Sequence, residues 1–299
     1  MVVHKSVLLH EAIDKLDIKN GDIFVDGTLG GGGHSEEVAK RFGKNVNIIA
    51  IDLDLDAIER SKKRLNNLDP DVHYVQGSFR DIDQICATLG VKQVDRILLD
   101  IGLSSNQFED SGRGFSFQKD EPLNMSFGST GSPQTKFTAR EIVNEWDEEN
   151  IEAILKGYGE EQFSWKIAKA IEARRKEKPI ETTFELVEII KIATPKWYHT
   201  RRIHPATKTF QALRIAVNDE LESLKDGLKH GFEVLKPHGR LAIISFHSLE
   251  DRIVKQFFKD KEDKDLGKRI TKKPIIPTDE EIKENPRSRS AKLRIFEKN

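Results

Sequence analysis

The 299-residue chain has a single cysteine, Cys86, and almost no net charge, with 49 basic against 50 acidic residues. One thiol excludes an internal disulfide framework and any zinc site built on several thiolates, as is usual in the reducing cytoplasm. No apolar run approaches the roughly 18 residues of a membrane-spanning helix. The first residues show neither a secretory signal nor a transit-peptide pattern. We therefore expect a cytoplasmic protein without a membrane partner.

The net charge of −1 conceals strong segregation of charge along the chain. Residues 141–161 carry eight acids and one base, whereas residues 196–214 carry five bases and no acid. The tail from Arg252 holds fifteen bases and nine acids. The segment 196–214 also contains interleaved aromatic side chains, namely Trp197, Tyr198, His199, His204 and Phe210. Bases interleaved with aromatics are typical of surfaces that contact phosphates and stack nucleobases, so the net charge does not exclude an RNA partner.

Short apolar runs alternate with helical patterns through the first hundred residues. The candidate strands are 23–26, 46–51, 72–75 and 96–100, with helical patterns at 34–41, 55–68 and 82–89 between them. This alternation predicts a parallel sheet covered by helices on both faces.

The alternation stops after Gly102 and resumes near residue 204. Residues 102–131 are typical of a long functional loop, and residues 139–193 have helical periodicity without a strand signal. The later pattern gives a helix at 207–235, a strand at 240–246, a helix at 249–258, a loosely ordered stretch at 259–289 and a closing strand at 291–297. We predict an α/β fold with a doubly wound, mostly parallel sheet formed by residues 1–105 and 204–299. Residues 106–203 then form a loop and an all-helical insert for RNA recognition.

A glycine-rich loop at residues 26–35 follows the first strand directly and opens a helix. Its four consecutive glycines allow positive φ and close backbone approach, as at the cofactor turn of an open α/β sheet. Asp52 ends the second strand, where a carboxylate can accept hydrogen bonds from both ribose hydroxyls. The dinucleotide pattern G-x-G-x-x-G is not met. Asp26 would repel a pyrophosphate but suits a sulfonium or ammonium group, which favours S-adenosylmethionine over NAD.

Two more residues stand at the ends of neighbouring strands. Phe79 follows the third strand, where its ring could lie against adenine or belong to the core. Asp100 ends the fourth strand, where it could hold the amino group of the cofactor, accept a hydrogen bond from a substrate amine, or cap a turn. Cys86 lies in a predicted helix and is expected to be buried, which disfavours attack by a thiolate on a pyrimidine ring.

Long sequence motifs run from one end of the chain to the other. They include SVLLHE at 6–11, DGTLG at 26–30, DIGLSSNQ at 100–107, RGFSF at 113–117, YGEE at 158–161, HPATKTFQALR at 204–214, ISFHSLEDR at 244–252 and NPRSRS at 285–290. By these motifs the chain resembles the bacterial RsmH (MraW) family. Members of that family are class I S-adenosylmethionine-dependent methyltransferases that modify N4 of a cytidine in the decoding region of 16S rRNA.

The resemblance implies S-adenosylmethionine as the cofactor and 16S rRNA, within the small ribosomal subunit, as the partner. The cofactor residues that it implies are Gly32, Gly33, His34, Asp52, Phe79, Asp100 and Gln107. It also implies that the helical insert helps to grip RNA, and it leaves monomer and homodimer both open. Three positions depart from the family pattern: Asn124 stands where Asp is usual, His238 replaces Gly and Ser6 replaces Pro.

Methyl transfer to N4 is an in-line displacement without a covalent enzyme intermediate, so it needs alignment, exclusion of water and an acceptor for the amine hydrogens. We assign the acceptor to Asp100, as the catalytic residue, with Asn124 as the second candidate. The candidate substrate contacts are Arg113, Asn124, His204, Arg214, Asn218 and His247. A salt bridge to Glu220 is the alternative for Arg214, and a purely structural hydrogen bond is the alternative for His247. No histidine pair has zinc-site spacing, so no metal is expected.

Two other classes of protein share part of this pattern. An NAD-dependent oxidoreductase would have the sheet and Asp52 but would need the missing dinucleotide pattern. A non-catalytic RNA-binding protein would keep the basic, aromatic segment but has no need of the glycine loop. Tight binding of S-adenosylmethionine but not of NAD is expected only of a methyltransferase.

Overall fold

The computed structural model describes residues 5–68, 70–102, 112–127 and 137–299. The chain divides into two compact units, one made of residues 1–102 and 221–299 and the other of residues 103–220. The predicted boundary at residue 204 differs from this division by one helix. Helix Thr207–Asn218 falls in the second unit because Phe210, Leu213 and Val217 are buried in the core of that unit.

The first unit is built on a seven-stranded sheet, as the sequence predicts. Its strands are β1 Ile23–Asp26, β2 Asn47–Asp52, β3 Asp71–Gln76, β4 Val94–Asp100, β5 Leu235–Ser245, β6 Gly267–Arg269 and β7 Lys292–Lys298. The strand order is β3-β2-β1-β4-β5-β7-β6. Strands β1 to β5 pair in parallel, and β7 runs antiparallel to both β5 and β6.

Helices cover both faces of this sheet because successive side chains of a strand point to opposite faces. Along β2, Ile48 and Ala50 belong to one buried cluster, and Ile49 and Ile51 belong to the other. The helices that contribute to the first cluster are Leu9–Leu16, Gly33–Phe42 and Leu55–Leu65. Those that contribute to the second are Ile82–Thr88, Glu220–Val234 and Ser248–Asp263. Cys86 is buried in the second cluster, as predicted, and burial raises the pKa of its thiol to about 11.

Two predictions about the later part of the chain are wrong. The single helix expected at 207–235 is two helices, which separate at Asp219, a residue in the left-handed conformation with φ 49°. The stretch expected to be loosely ordered contains the end of helix Ser248–Asp263, strand β6, helix Asp279–Glu284 and a 3-10 helix at Pro286–Ser290. This stretch is also tied to the N-terminal part of the chain, since Glu281 accepts a hydrogen bond from the backbone N–H of Leu8 at 2.8 Å.

The second unit is helical around its own apolar core. Its helices are Ala139–Glu145, Glu148–Gly157, Ser164–Glu177, Thr183–Ala193, Lys196–His199 and Thr207–Asn218. Thr138 and Thr182 each begin a helix with a capping box, in which a Glu three residues later returns the hydrogen bond. In neither unit does a described helix have the length and apolarity that crossing a membrane requires.

Candidate active site

Three carboxylates lie at the carboxyl ends of neighbouring strands: Asp26 ends β1, Asp52 ends β2 and Asp100 ends β4. These strands are parallel and adjacent, so their ends meet at one edge of the sheet, where open α/β sheets bind ligands. Thr28, in the loop after β1, ties two of the ends together, because its hydroxyl accepts the backbone N–H of Asp100 at 2.6 Å. The structure therefore brings together the strand-end residues that the sequence singled out.

The glycines of the loop have different surroundings. Gly30 and Gly32 both have positive φ, 51° and 73°. A Cβ at Gly32 would lie 2.7 Å from the Ser61 hydroxyl, and one at Gly33 would overlap the Ser6 side chain. A Cβ at Gly30 would meet no described atom closer than the Thr28 carbonyl oxygen, at 3.8 Å. Packing within the protein thus requires glycine at 32 and 33, and the open side of the loop is at Gly30.

Asp52 is held in place by two backbone donors. The N–H of Gly30 reaches Oδ2 at 2.7 Å and the N–H of Asp54 reaches Oδ1 at 2.8 Å. Burial raises the pKa of the Asp52 carboxyl. A carboxylate oxygen has more than one acceptor site, so both oxygens remain able to accept from a ligand. The residues present therefore fit an adenosine-type ribose.

Asp100 is a largely buried carboxyl group whose hydrogen-bonding capacity is not used up. Its Oδ1 has no hydrogen-bond partner among the described residues. Burial, together with the nearby charge of Asp26, raises the pKa of Asp100 to about 7. Burial also raises the pKa of Asp26, to about 6, although that carboxylate accepts the Ser35 hydroxyl at 2.7 Å. Both carboxyl groups therefore have pKa values closer to neutrality than an ordinary aspartate has, which is typical of functional sites.

His34 links this pair to the N-terminal segment of the chain. It lies in the first turn of helix Gly33–Phe42, and its Nε2 donates to the carbonyl of Val7 at 3.2 Å. That bond leaves Nδ1 as the acceptor nitrogen of the neutral ring, 3.9 Å from Oδ2 of Asp100. His34 is thus beside the candidate catalytic carboxyl, a placement that the glycine motif alone does not reveal.

Phe79 and Gln107 complete the predicted cofactor set. Phe79 begins a 3-10 turn after β3, and its half-buried ring packs against helix Glu220–Val234. A Cβ at Gly227 of that helix would lie 2.5 Å from the ring, so one side of Phe79 belongs to the core. Gln107 lies outside the residues that the structure describes.

Three predicted substrate contacts together hold the backbone at residues 122–127 in the second unit. Arg113 donates to the carbonyls of Ser126 and Phe127 at 3.1 and 2.9 Å. Oδ1 of Asn124 accepts the N–H of Ser126 at 2.9 Å, and Oδ1 of Asn218 accepts the N–H of Phe127 at 2.8 Å. The three side chains and this short loop therefore hold one another in place through hydrogen bonds to its backbone.

Arg214 and His204 have partners of different kinds. Arg214 forms a two-pronged ion pair with Glu220, at 2.8 and 2.9 Å, which is the alternative that the sequence left open. His204 is exposed, and its ring stacks on Phe117 with centroids 4.5 Å apart. Partial burial and the nearby charge of Lys191 lower the pKa of His204. A neutral, stacked ring of this kind can contact a nucleobase.

His247 caps the helix Ser248–Asp263 in the first unit. Its Nδ1 accepts the N–H of Glu250 at 3.4 Å, and its Nε2 lies 3.0 Å from the Glu250 carboxylate. The other oxygen of that carboxylate accepts the N–H groups of Phe246 and His247 at 2.7 and 3.1 Å. The Nδ1 bond is the structural role that was the alternative for His247, whereas its buried Nε2 has no hydrogen-bond partner among the described residues.

An aromatic surface with flanking cations lies on the second unit, and part of it belongs to the basic segment 196–214 that the sequence singled out. Trp197 is 53% exposed, and the Arg201 guanidinium lies 4.9 Å from its ring centroid. Phe163 packs edge-on against Trp197 at 5.8 Å and carries Lys166 over its own ring at 5.7 Å. We call Phe163, Lys166, Trp197 and Arg201 the Trp197 platform. The sequence indicated only its second half, because Phe163 and Lys166 come from a distant helix.

The strand order with an antiparallel β7, the glycine loop after β1 and the acid that ends β2 define a class I S-adenosylmethionine-dependent methyltransferase. S-adenosylmethionine is the cofactor of this class. Within it, the chain belongs to the MraW methylase family, whose sequence model matches residues 1–299.

The relatives of the chain are similar along nearly their whole length. The ribosomal RNA small subunit methyltransferase H of Lachnospira eligens is 46% identical, over 99% of this chain and 97% of its own. The protein of the same name from Brevibacillus brevis is 44% identical, over 99% and 98%. Among solved structures, an rRNA methylase from Streptococcus thermophilus is 11% identical with a TM-score of 0.45, over 97% of this chain and 93% of that one.

Proposed function

We propose that the protein methylates N4 of a cytidine in the decoding region of 16S rRNA, by direct in-line transfer from S-adenosylmethionine. The names of the two relatives support small-subunit rRNA as the substrate. The observation that carries the chemistry is the buried Asp100 carboxyl at the end of β4, with an oxygen that has no partner among the described residues.

Asp100 acts in this proposal as the acceptor for a hydrogen of the N4 amine. The amine lone pair is delocalised into the cytosine ring, and an acceptor for its hydrogens returns electron density to the nitrogen. The ionised carboxylate is the better acceptor, and its pKa of about 7 makes that form available at neutral pH. Because Nε2 of His34 donates to the Val7 carbonyl, Nδ1 of the neutral ring is an acceptor, and it lies 3.9 Å from Oδ2 of Asp100.

The residues that would hold the cofactor are those at the open side of the loop and at the neighbouring strand ends. Asp52 would accept from the ribose hydroxyls, and the buried Asp26 would balance positive charge from beneath the loop. Gly32, Gly33 and His34 would shape the turn, with Phe79 and Gln107 beside the adenine. When bound, S-adenosylmethionine supplies a methyl group on a sulfonium, a good leaving group.

The Trp197 platform is the RNA-contacting surface in this proposal. Unpaired RNA bases stack on exposed aromatic rings, and flanking cations contact the phosphates. The platform is anchored from below, since the hydroxyl of Tyr198 donates to the buried Glu161 at 2.7 Å. The exposed, stacked ring of His204 offers a second contact on the same unit.

The catalytic assignment is tested by transferring labelled methyl groups to small ribosomal subunits that lack the modification, followed by nuclease mapping. Label on N4 of one decoding-region cytidine supports the proposal; label on a C5 carbon, on a ribose or nowhere contradicts it. Asp100→Asn keeps the shape but loses the ionised acceptor, so its turnover at saturating cofactor should fall by roughly 10² to 10⁴. Asp56→Asn, on a surface helix, is the matched control and should keep full turnover.

The RNA surface is tested by Trp197→Ala. Loss of one stacked base costs roughly 1 to 3 kcal/mol, so the KM for subunits should rise about tenfold or more while the affinity for cofactor stays the same. Trp165→Ala is the control, because Trp165 is equally exposed, at 52%, and also carries a lysine over its ring. An equal loss in both variants, or in neither, would refute the assignment to Trp197.

A further inference from the structure

A cavity of about 280 Å³ opens beside the end of β5 in the first unit. Five of its lining residues are apolar, Phe246, Ile276, Pro277, Ile282 and Ala291. The polar lining comes from His247, Ser248, Arg289, Ser290 and Lys292. Most of these residues belong to the C-terminal tail. The mechanism proposed above uses none of the tail residues.

The cavity is next to the edge of the sheet that carries the catalytic carboxyl. The ring of Phe246, which lines the cavity, also packs on Gly102, where a Cβ would overlap it. Gly102 follows Asp100 by two residues, and the backbone between them is paired to β5, with the N–H of Ile101 bonded to the carbonyl of Ile244 at 3.0 Å. One aromatic ring therefore contacts both the end of β4 and the cavity.

The fully charged residues that line the cavity are both cations, Arg289 and Lys292. Arg289 is exposed and makes no ion pair among the described residues. Asp251 forms ion pairs with two cations, Lys292 at 3.0 Å and Arg294 at 2.6 Å. The three residues together therefore carry one net positive charge. The neighbouring Glu250 is engaged in capping the helix, as described above.

We propose that this cavity binds one unpaired nucleotide of the RNA strand, a neighbour of the target cytidine. The apolar wall of Phe246, Ile276 and Ile282 suits the flat face of a base, and unpaired RNA is recognised by such contacts. Arg289 and the Ser290 hydroxyl at the rim suit the phosphate. A volume of about 280 Å³ is enough for one base. This inference rests on the proposed function, since it assumes an RNA substrate.

The test compares variants of the full-length protein in methyl transfer to unmethylated small subunits. Arg289→Ala should raise the KM about tenfold and leave kcat and the affinity for S-adenosylmethionine unchanged. Arg289→Lys keeps the charge and should recover most of the loss. Ser290→Trp fills the cavity from its exposed rim and should raise the KM to a similar extent. The dependence of the apparent affinity on salt should weaken by about one phosphate contact in Arg289→Ala.

Lys255→Ala is the matched control, because Lys255 is an exposed cation on helix Ser248–Asp263 that does not line the cavity. A KM for Arg289→Ala or Ser290→Trp within twofold of wild type would overturn the inference, as would an equal rise in the Lys255→Ala control. If the wild-type protein transfers no label to small-subunit rRNA, the proposed function fails instead. If the wild-type protein is active, the KM values of the cavity variants alone decide whether the cavity binds a nucleotide.

Discussion

Asp100 should make the stability of the protein depend on pH in the direction opposite to that of a salt-bridged carboxylate. Its pKa is about 7 in the folded protein and near 3.8 when exposed. Below pH 4 both states carry the proton, so the group contributes nothing. Between pH 4 and 7 the unfolded chain loses the proton first, so the free energy of unfolding falls as the pH rises. Above pH 7 the full penalty of burying the charge is present.

The size of this penalty follows from the shift of about three pH units. Each unit corresponds to about 1.36 kcal/mol, so ionising the buried carboxyl costs roughly 4 kcal/mol at most. Asp100→Asn cannot ionise and escapes the penalty. The amide has its own hydrogen-bonding cost, but that cost does not vary with pH. The variant should therefore gain stability relative to wild type by up to roughly 4 kcal/mol between pH 4 and pH 7.5.

Urea unfolding of the cofactor-free protein at intervals of half a pH unit measures this difference directly. The quantity to plot is the free energy of unfolding of the variant minus that of wild type. We expect a curve that is flat below pH 4, rises to about pH 7 and is flat above it. A difference that stays constant from pH 4 to 8 would refute the reasoning, because Asp100 would then have the same pKa in both states.

Two other substitutions test the packing inside each unit: Gly32→Ala in the first unit and Tyr198→Phe in the second. Gly32→Ala forces a side chain into a left-handed conformation and against the Ser61 hydroxyl, so it should lower the free energy of unfolding by more than the roughly 1 to 2 kcal/mol of the backbone conformation alone. Gly90→Ala, at the same φ of 73° with no atom within 4 Å of an added Cβ, is the reference in the same urea experiment, and an equal loss in both variants would show that the contact with Ser61 has no cost. Tyr198→Phe leaves the buried Glu161 without its hydroxyl donor and should cost roughly 1 to 3 kcal/mol. Unchanged stability would mean that water replaces the hydroxyl.

The parallel part of the fold is readable from the sequence because its strands are short apolar runs buried on both sides. Ile49 and Ile51 pack on one face, and Ile48 and Ala50 on the other, so the whole run must be apolar. The break between two helices at Asp219 is hidden by a helical pattern that continues across it. The sequence does contain one indication of this break, the pair Asn218-Asp219, because Asn and Asp tolerate the left-handed backbone conformation.

The order of the tail and the partners of the site residues could not be read in this way, because they depend on contacts between distant parts of the chain. Glu281 bonds to the backbone of Leu8, which is 273 residues away. A Cβ at position 32 would lie 2.7 Å from the Ser61 hydroxyl, and no local pattern reveals that neighbour. The strand-end acids were predictable, since parallel strands necessarily bring their carboxyl ends to one edge.

The position of β7 has a consequence for the order of folding. Strand β7 follows the other six strands in the sequence but is inserted between β5 and β6, and it supplies both antiparallel strand pairings of the described sheet. During synthesis, β5 therefore waits with an unpaired edge until residues 292–298 leave the ribosome, whereas the helical unit is complete much earlier. We expect the helical unit to fold while the chain is still growing, and the sheet to close only after residues 292–298 have left the ribosome. The step most exposed to aggregation is thus the late docking of one seven-residue strand.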